Sequence, residues 1–318
     1  MSAMEPAVVT VTLNPAIDHT VFLDGLELGA VNRCRSHHRQ AGGKGVNVSS
    51  MLGQYGVSSI ATGFLGADNP RLFEELFRRD GIVDAFVRLP GETRTGIKIV
   101  EASPRRTTDL NFPGLAPATD DLEKFEETMD SLVCTGRWFV LAGSLPAGVG
   151  TEWFARLIGR IKQGGGRVAI DTSGSALSAA IDAGADLVKP NEHELGEILG
   201  RALDDPTSQV DAARDLQRKV PHVILSLGAN GALFLDADGG FHASPAPVEV
   251  VSTVGAGDSL VSGYLAGLLT GERAEHRARL ATVFAWSALE DVTRRLPDGA
   301  EIRRRMEQIE VRQLSETP

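Results

Sequence analysis

The sequence predicts an α/β fold: a mainly parallel sheet covered by helices on both faces, with a small antiparallel sheet set over one end of that core. Three observations carry the prediction. Short apolar runs rich in β-branched residues alternate with amphipathic stretches, the order produced by parallel strands joined through crossover helices. Clusters of Gly, Asp and Asn follow the carboxyl ends of those runs, where ligands of open α/β sheets bind. Two polar, helix-free regions, 17–40 and 91–112, interrupt the alternation.

Taken in order, "VVTVTL" (8–13) reads as a buried first strand, followed by the polar region 17–40. "SIATGFLG" (59–66) is the next buried strand, and "PRLFEELFRRDG" (70–81) the amphipathic helix after it. In the second polar region "TRTGIKIVEA" alternates at period 2, as a half-buried strand does. Beyond it come a helical stretch near 121–133, the strand "WFVLAGS" (138–144) and the helix "EWFARLIGRIKQGG" (152–165). Strands "RVAID" (167–171) and "DLVKPN" (186–191), the helix "DAARDLQRKV" (211–220) and the strand "HVILSLG" (222–228) complete the series. No internal repeat or low-complexity tract is visible.

Composition narrows the function classes. A chain of 318 residues can bury roughly three quarters of its unfolded surface, enough for one large domain or one with a small appendage. The net charge of −10 argues against broad binding of nucleic acid or anionic membrane. The first residues lack the charged and apolar regions of a signal peptide, and no apolar run approaches the ~20 residues that span a membrane. Cys34 and Cys134 have no metal-ligand spacing and read as free thiols in a reducing compartment. A cytoplasmic protein is expected, with no nucleic-acid or membrane partner.

The strand-end clusters are "NPAID", "GSLP", "DTSG", "KPNEHE" and "SLGANG". One such tetrapeptide is weak, because these residues are common in turns; five at successive strand ends form a pattern. The first strand runs into "NPAID" and not G-x-G-x-x-G, which excludes a dinucleotide fingerprint. In "AGGKGVN" Gly45 follows the lysine where a Walker loop needs Ser or Thr.

The chemistry concentrates in "STVGAGDSLVSGYLAGLL" (252–269). Gly255, Ala256 and Gly257 leave backbone N–H groups bare at a helix N-terminus, where they and the dipole favour an anion. Asp258 then falls in the first turn. It could simply stabilise its own helix. Alternatively it is a base beside an anion cradle, taking a proton from a hydroxyl while the N–H groups hold a transferring phosphoryl group; for that it need only be ionised at pH 7. In "AGGKGVN" (41–47), Gly42 and Gly43 allow close approach of a ligand, Lys44 offers a point charge to phosphate, and Asn47 can fork onto sugar hydroxyls.

With "TLNPAIDHTV", "AGGKGVNV", "TDLNFPG", "AGSLPAG", "KPNEHEL", "SLGANGA" and "STVGAGDS" in place, the chain resembles the ribokinase superfamily of carbohydrate kinases over nearly its whole length, specifically the phosphofructokinase B branch. The pairing of "TLNPAID" and "GGKGVN" with "TDLNFPG" is most similar to the bacterial 1-phosphofructokinase group. The resemblance implies a ribokinase-like three-layer core over 1–16, 41–90 and 113–318, and a β-sheet lid over 17–40 and 91–112. The lid would close over the sugar and form a homodimer contact. Closure has a physical rationale, since excluding water protects ATP from hydrolysis.

Carried over residue by residue, it implies that Asp18, Gly42, Gly43 and Asn47 hold sugar hydroxyls, that Lys44 and Arg94 meet the sugar's existing phosphate, and that Ser144 lines the same pocket. Lys189, Asn191 and Glu194 of K-P-N-x-x-E would serve the nucleotide phosphates, with Glu194 acting on Mg²⁺ indirectly through them. Ser226, Gly228, Gly231 and Gly257 would hold ATP. Gly255, Ala256 and Gly257 would form the anion hole, with Asp258 as the base. The implied reaction is ATP-dependent conversion of fructose 1-phosphate to fructose 1,6-bisphosphate. Tagatose 6-phosphate and fructose 6-phosphate are the rival substrates, and a catalytically silent sugar-phosphate sensor is the reading from another class.

Other residues are expected to do less. If a strand spans 31–40, Arg33, Arg35, His37 and Arg39 share one face, and Arg33 is the candidate phosphate contact among them. His193 is expected to be exposed, Asp171 to shape its turn or pocket, Arg105 and Arg106 to be solvated in a hairpin turn, and Asp109 to stay short of the sugar. Gly96 in "TRTGIK" stands where relatives carry Asn, a departure that bears on how the sugar is held.

Overall fold

The computed structural model describes residues 6–102, 106–246, 248 and 250–315. Strands β1 (Val8–Thr12), β2 (Ala16–Leu23) and β3 (Ser36–Gly42) lead into helix α1 (Lys44–Gln54), then β4 (Ser59–Gly66), α2 (Arg71–Asp80) and the short strands β5 (Val83–Asp84) and β6 (Val87–Leu89). After β7 (Thr95–Glu101) and β8 (Arg106–Asn111) come α3 (Thr119–Leu132), β9 (Trp138–Ala142), α4 (Thr151–Gln163), β10 (Arg167–Asp171), α5 (Gly174–Asp182) and β11 (Leu187–Val188). Helices α6 (Glu192–Leu199) and α7 (Pro206–Gln217), strands β12 (His222–Ser226), β13 (Ala232–Asp236) and β14 (Gly239–Ser244), helices α8 (Ala256–Leu269), α9 (Ala274–Glu290) and α10 (Gly299–Gln308), and β15 (Glu310–Gln313) complete the chain.

The main sheet runs β15-β14-β13-β12-β11-β10-β9-β1-β4-β5, with β6 on β4. Every pairing from β12 to β5 is parallel, and β12 to β15 pair antiparallel. The parallel strands are buried on both faces, which is why they read as unbroken apolar runs. In β9, Phe139 and Leu141 enter the layer under α3–α7, with Phe125, Phe154 and Leu177. Trp138 and Val140 enter the opposite layer, with Met51, Tyr264 and Phe284 from α1, α8 and α9. The three-layer α/β core is therefore present.

The predicted elements are found with shifted ends. Helix α7 starts five residues before the expected 211, because Asp205 accepts hydrogen bonds from the N–H groups of Thr207 and Ser208 and caps it. Strand β11 is two residues long, set by its parallel neighbours and not by its own length.

The second sheet has the order β3-β2-β7-β8. Its outer pairs are antiparallel as expected, but its central pair, β2 with β7, is parallel, so the sheet is mixed. The core elements between β3 and β7 carry the chain back to the starting end of β2, on the edge opposite β3, so β7 enters in the direction of β2. At the junction with the core, Ile17 and Ala41 bury against Phe73, Phe77 and Phe86. Arg105 lies outside the described residues. Among the described residues, no helix is long and apolar enough to cross a membrane.

Candidate active site

The carboxyl ends of β1, β9, β10, β11 and β12 meet the mixed sheet and the N-terminus of α8, and the candidate residues converge there. Gly255 is the N-cap of α8, with φ 82°, a left-handed conformation that glycine adopts without penalty. The N–H groups of the first turn have no intrahelical acceptor. Asp258, in that turn, is 5% exposed, and its Oδ2 accepts a 2.7 Å hydrogen bond from Asn47 Nδ2 on α1. The "AGGKGVN" and "GAGD" segments, two hundred residues apart in sequence, are thus in direct contact.

Asp171, expected to shape its turn or pocket, holds the charges of the site together. It is buried at the end of β10, and its Oδ1 meets Lys44 Nζ at 2.8 Å and Lys189 Nζ at 3.3 Å. Burial alone would raise the Asp171 carboxyl, but Lys189 and Lys44 outweigh it and hold the group below the usual carboxylate range. Lys44 is opposed by burial and yet held above its ordinary value by Asp171 and Asp258. Asp258 is pushed up to about 6, by burial first and the Asp171 charge second, against the pull of Lys44, Asn47 and Arg294. The carboxylate remains mainly ionised at pH 7 and sits near the pH where a base works best.

Lys189 lies against the helix start: a Cβ built on Gly257 would come within 3.3 Å of its Nζ. Beyond it opens a cavity of about 550 Å³, which includes Asn191, Ser226, Gly228, Gly231, Ala256 and Gly257. Its apolar wall of Val250, Leu260, Trp286 and Leu289 suits a flat aromatic ring. Asn191 caps α6 by accepting from Glu194 N at 2.7 Å, and Glu194 Oε2 accepts from Asn191 N at 2.9 Å. Both side chains therefore shape the helix start, and Asn191 also lines the cavity. His193 is exposed on that rim beside Glu197, as expected. Among the described residues, no group of three His, Cys, Asp or Glu is arranged to hold a metal. A metal carried on nucleotide phosphates needs only one or two protein carboxylates, which Glu194 fits.

On the other side, Asp18 is 9% exposed on β2, paired in register with Gln40 and Gly96. A Cβ on Gly42 would fall 2.5 Å from Asp18 Oδ2, so the glycine is what admits the carboxylate. Gly43 has φ 117°, a conformation that glycine alone adopts readily, as the chain turns into α1. Arg94 and Ser144 are joined through a residue that the motif analysis did not single out: Asn14 accepts from Arg94 Nε at 3.0 Å, and its Nδ2 donates to Ser144 Oγ at 3.0 Å. Lys98 was missed as well. It lies 4.0 Å from Asp18 Oδ1 and 3.5 Å from Asp109, so Asp109 shares the Asp18 face. Beside Gly96, the Asn111 amide oxygen lies 3.4 Å from where a Cβ would be.

The basic strand reading needs correction. Strand β3 begins at Ser36, so Arg33 and Arg35 precede it and share no face with His37 and Arg39. Arg33 is exposed, and Arg35 pairs with the exposed Asp24. His37 and Arg39 point away from the face of Gln40 and Asp18. Arg106 is not simply solvated either: it pairs with the buried Glu101.

Residues 11–293 match the family described as "pfkB family carbohydrate kinase". The chain is 45% identical over 292 residues to a 1-phosphofructokinase of Rhodobacter capsulatus, covering 91% of this chain and 92% of that one. It is 41% identical over 285 residues to the 1-phosphofructokinase of Escherichia coli K12, covering 89% and 90%. Among solved structures, phosphofructokinase-2 from Escherichia coli in complex with substrates and products superposes with a TM-score of 0.89 at 29% identity, covering 94% of this chain and 98% of that one.

Proposed function

The chain belongs to the pfkB family of carbohydrate kinases, and on that premise we propose that it transfers the terminal phosphoryl group of ATP to the 6-hydroxyl of fructose 1-phosphate, giving fructose 1,6-bisphosphate. It is a phosphotransferase with an alcohol acceptor, and ATP is its co-substrate. The observation that carries the reading is Asp258: a buried carboxylate with a pKa pushed up to about 6, in the first turn of a helix whose N-terminal amides have no intrahelical acceptor. The curated relatives at 39–45% identity carry the name 1-phosphofructokinase, which supports the choice of sugar.

In this reading Asp18 and Asn47 hold sugar hydroxyls, and Asn47 also orients Asp258. The Arg94–Asn14–Ser144 chain receives the phosphate that the sugar already carries. Lys44 was offered by family resemblance to that same phosphate. Its contact with Asp171 and the neighbouring charges of Asp258 and Glu194 support a role beside the transferring group instead, and we assign it there. Asp258 takes the proton of the 6-hydroxyl. The amides of Gly255, Ala256 and Gly257, with Lys44 and Lys189, hold the charge of the phosphoryl group as it moves in line. Glu194 and the nucleotide phosphates would hold Mg²⁺, which when bound neutralises charge on the phosphate oxygens. Ser226, Gly228 and Gly231 flank the nucleotide.

The mixed sheet, with segments 17–40 and 91–112, acts as the lid, and we infer that two copies pair through its outer face. Val21, Ile97, Ile99 and Leu110 line that face, opposite Asp18 and Lys98, and Leu110 is 47% exposed. A related solved structure bears the description of a tetrameric inhibited phosphofructokinase-2, which supports assembly in the family. The free thiols of Cys34 and Cys134 suit a cytoplasmic enzyme.

The test is coupled ADP release with ATP and Mg²⁺ against fructose 1-phosphate, fructose 6-phosphate, tagatose 6-phosphate and fructose. We expect kcat/KM for fructose 1-phosphate to exceed the others by at least about tenfold, a difference of ~1.4 kcal/mol. Preference for a 6-phosphate would reverse the placement of the sugar while keeping the base. No turnover would overturn the reading.

A further inference from the structure

Among the described residues, Arg294 is the non-glycine residue with a left-handed backbone, φ 53°. Its segment is tied down around it: Gln40 Nε2 donates to Val292 O at 3.1 Å, Leu296 N donates to Gln54 Oε1 at 2.9 Å, and Arg294 N donates to Asp291 O at 2.9 Å. The side chain is 8% exposed and crosses the start of α8, where a Cβ on Gly255 would meet Arg294 Cδ at 2.6 Å. Nη1 stands 3.6 Å from Asp18 Oδ2, too long for a hydrogen bond, and this buried atom has no hydrogen-bond partner.

Two of these features, the left-handed backbone and the unmet guanidinium N–H, are unfavourable for folding. An arginine in a left-handed backbone is strained where glycine would not be, and a buried guanidinium with an unmet N–H loses hydration without full return. Both fall on one residue, between the carboxylate of the sugar pocket and the cap of the helix that carries the base. Strain and unmet polar groups gather where a site is over-determined for function.

We infer that Arg294 is a positioning residue for the phosphoryl transfer: its guanidinium fixes Asp18 toward the sugar hydroxyls and seats the first turn of α8 beside it, so that Asp18 and Asp258 address the same sugar. The inference rests on the kinase reading above. The charged and polar groups facing Asp258 are Asp171 from β10, Lys44 and Asn47 from α1, Lys189 after β11, and Arg294. Arg294 is thus one of the cations that favour the ionised base, and its removal moves the acid limb of activity upward.

The test compares wild type, Arg294→Gly and Arg294→Lys. Glycine accepts the left-handed backbone, so Arg294→Gly removes the guanidinium while relieving strain, and its melting temperature should equal or exceed that of wild type. We expect KM for the sugar phosphate to rise at least about tenfold in Arg294→Gly with KM for ATP within about twofold. The acid limb of kcat/KM should move up by about half a pH unit or more. Arg294→Lys should keep the wild-type limb while KM for the sugar stays raised. Wild-type KM and limb in Arg294→Gly would overturn the inference, as would lost activity with a lowered melting temperature and an unmoved limb. No turnover by wild type with any of the four sugars would overturn the proposed function and this inference together.

Discussion

Asn47 donates a 2.7 Å hydrogen bond to Oδ2 of Asp258, and both side chains are buried. The contact orients the carboxylate and stabilises its ionised form. Replacing Asp258 by Asn keeps the shape and can keep a bond to Asn47 by turning the amide, but removes the proton acceptor. Asp258→Asn should lower kcat by roughly 10²–10⁴-fold, the range of a general base. Calorimetry should show sugar phosphate and ATP binding within a few-fold of wild type. Near-normal turnover would sink the assignment of the base.

The pH profile follows from the same carboxylate. Burial and Asp171 push Asp258 up to about 6, and only the ionised form can accept a proton. Activity should therefore be present above that value and lost as pH falls through it, with kcat/KM declining tenfold per pH unit on the acid side. Asp171→Asn removes the like charge and should move this limb to lower pH. A profile flat from pH 7.5 down to pH 5 would show that another group, or none, takes the proton.

Much of this arrangement is legible in the sequence because local physics dictates it. Strand β1, "VVTVT", is buried at every position, and only a strand covered on both faces tolerates such a run. The N-terminus of α8 is announced by its glycines and its acid. Other features depend on distant partners. The role of Asp171 is defined by lysines from α1 and from the end of β11, so nothing in "DTSG" reveals a carboxylate shared by two cations. Arg294 sits in "TRRLP", where no motif distinguishes it from its neighbour Arg295; only the fold sets its side chain against Asp18 and Gly255. The parallel pairing of β2 with β7 is likewise a property of the path through the core.

The sugar pocket has a steric test at Gly42. A methyl group there would lie 2.5 Å from Asp18 Oδ2 and 2.6 Å from its Cγ, closer than atoms can approach, with the backbone carbonyl of Ala16 at 3.0 Å on another side. Asp18 must swing away. Steady-state kinetics of Gly42→Ala should show KM for the sugar phosphate raised about tenfold or more, while KM for ATP, bound beyond Lys189, changes less than about twofold. Equal rises in both would mean that the substitution disturbs α1 and not Asp18.

Stability can be separated from chemistry at the opposite ends of the strands. Asp236, at the end of β13, accepts from Arg277 Nη2 at 2.6 Å and from the Tyr264 hydroxyl at 2.6 Å, and Arg277 also reaches Asp238 at 2.7 Å. His222, first residue of β12, approaches the same hydroxyl at 3.1 Å. Burial, and then the Asp236 charge, hold the Tyr264 hydroxyl well above its ordinary value, so it stays a donor. Arg277→Ala leaves the Asp236 carboxylate buried without its cation, a change that costs roughly 3–5 kcal/mol in such pairs. Because β12 and β13 run antiparallel, this network lies at the strand end away from Ser226 and the nucleotide cavity. Chemical denaturation of Arg277→Ala should show that loss, while kcat/KM of the folded enzyme at 25 °C stays within about twofold of wild type. A comparable loss of kcat/KM without loss of stability would place Arg277 in the function of the site instead.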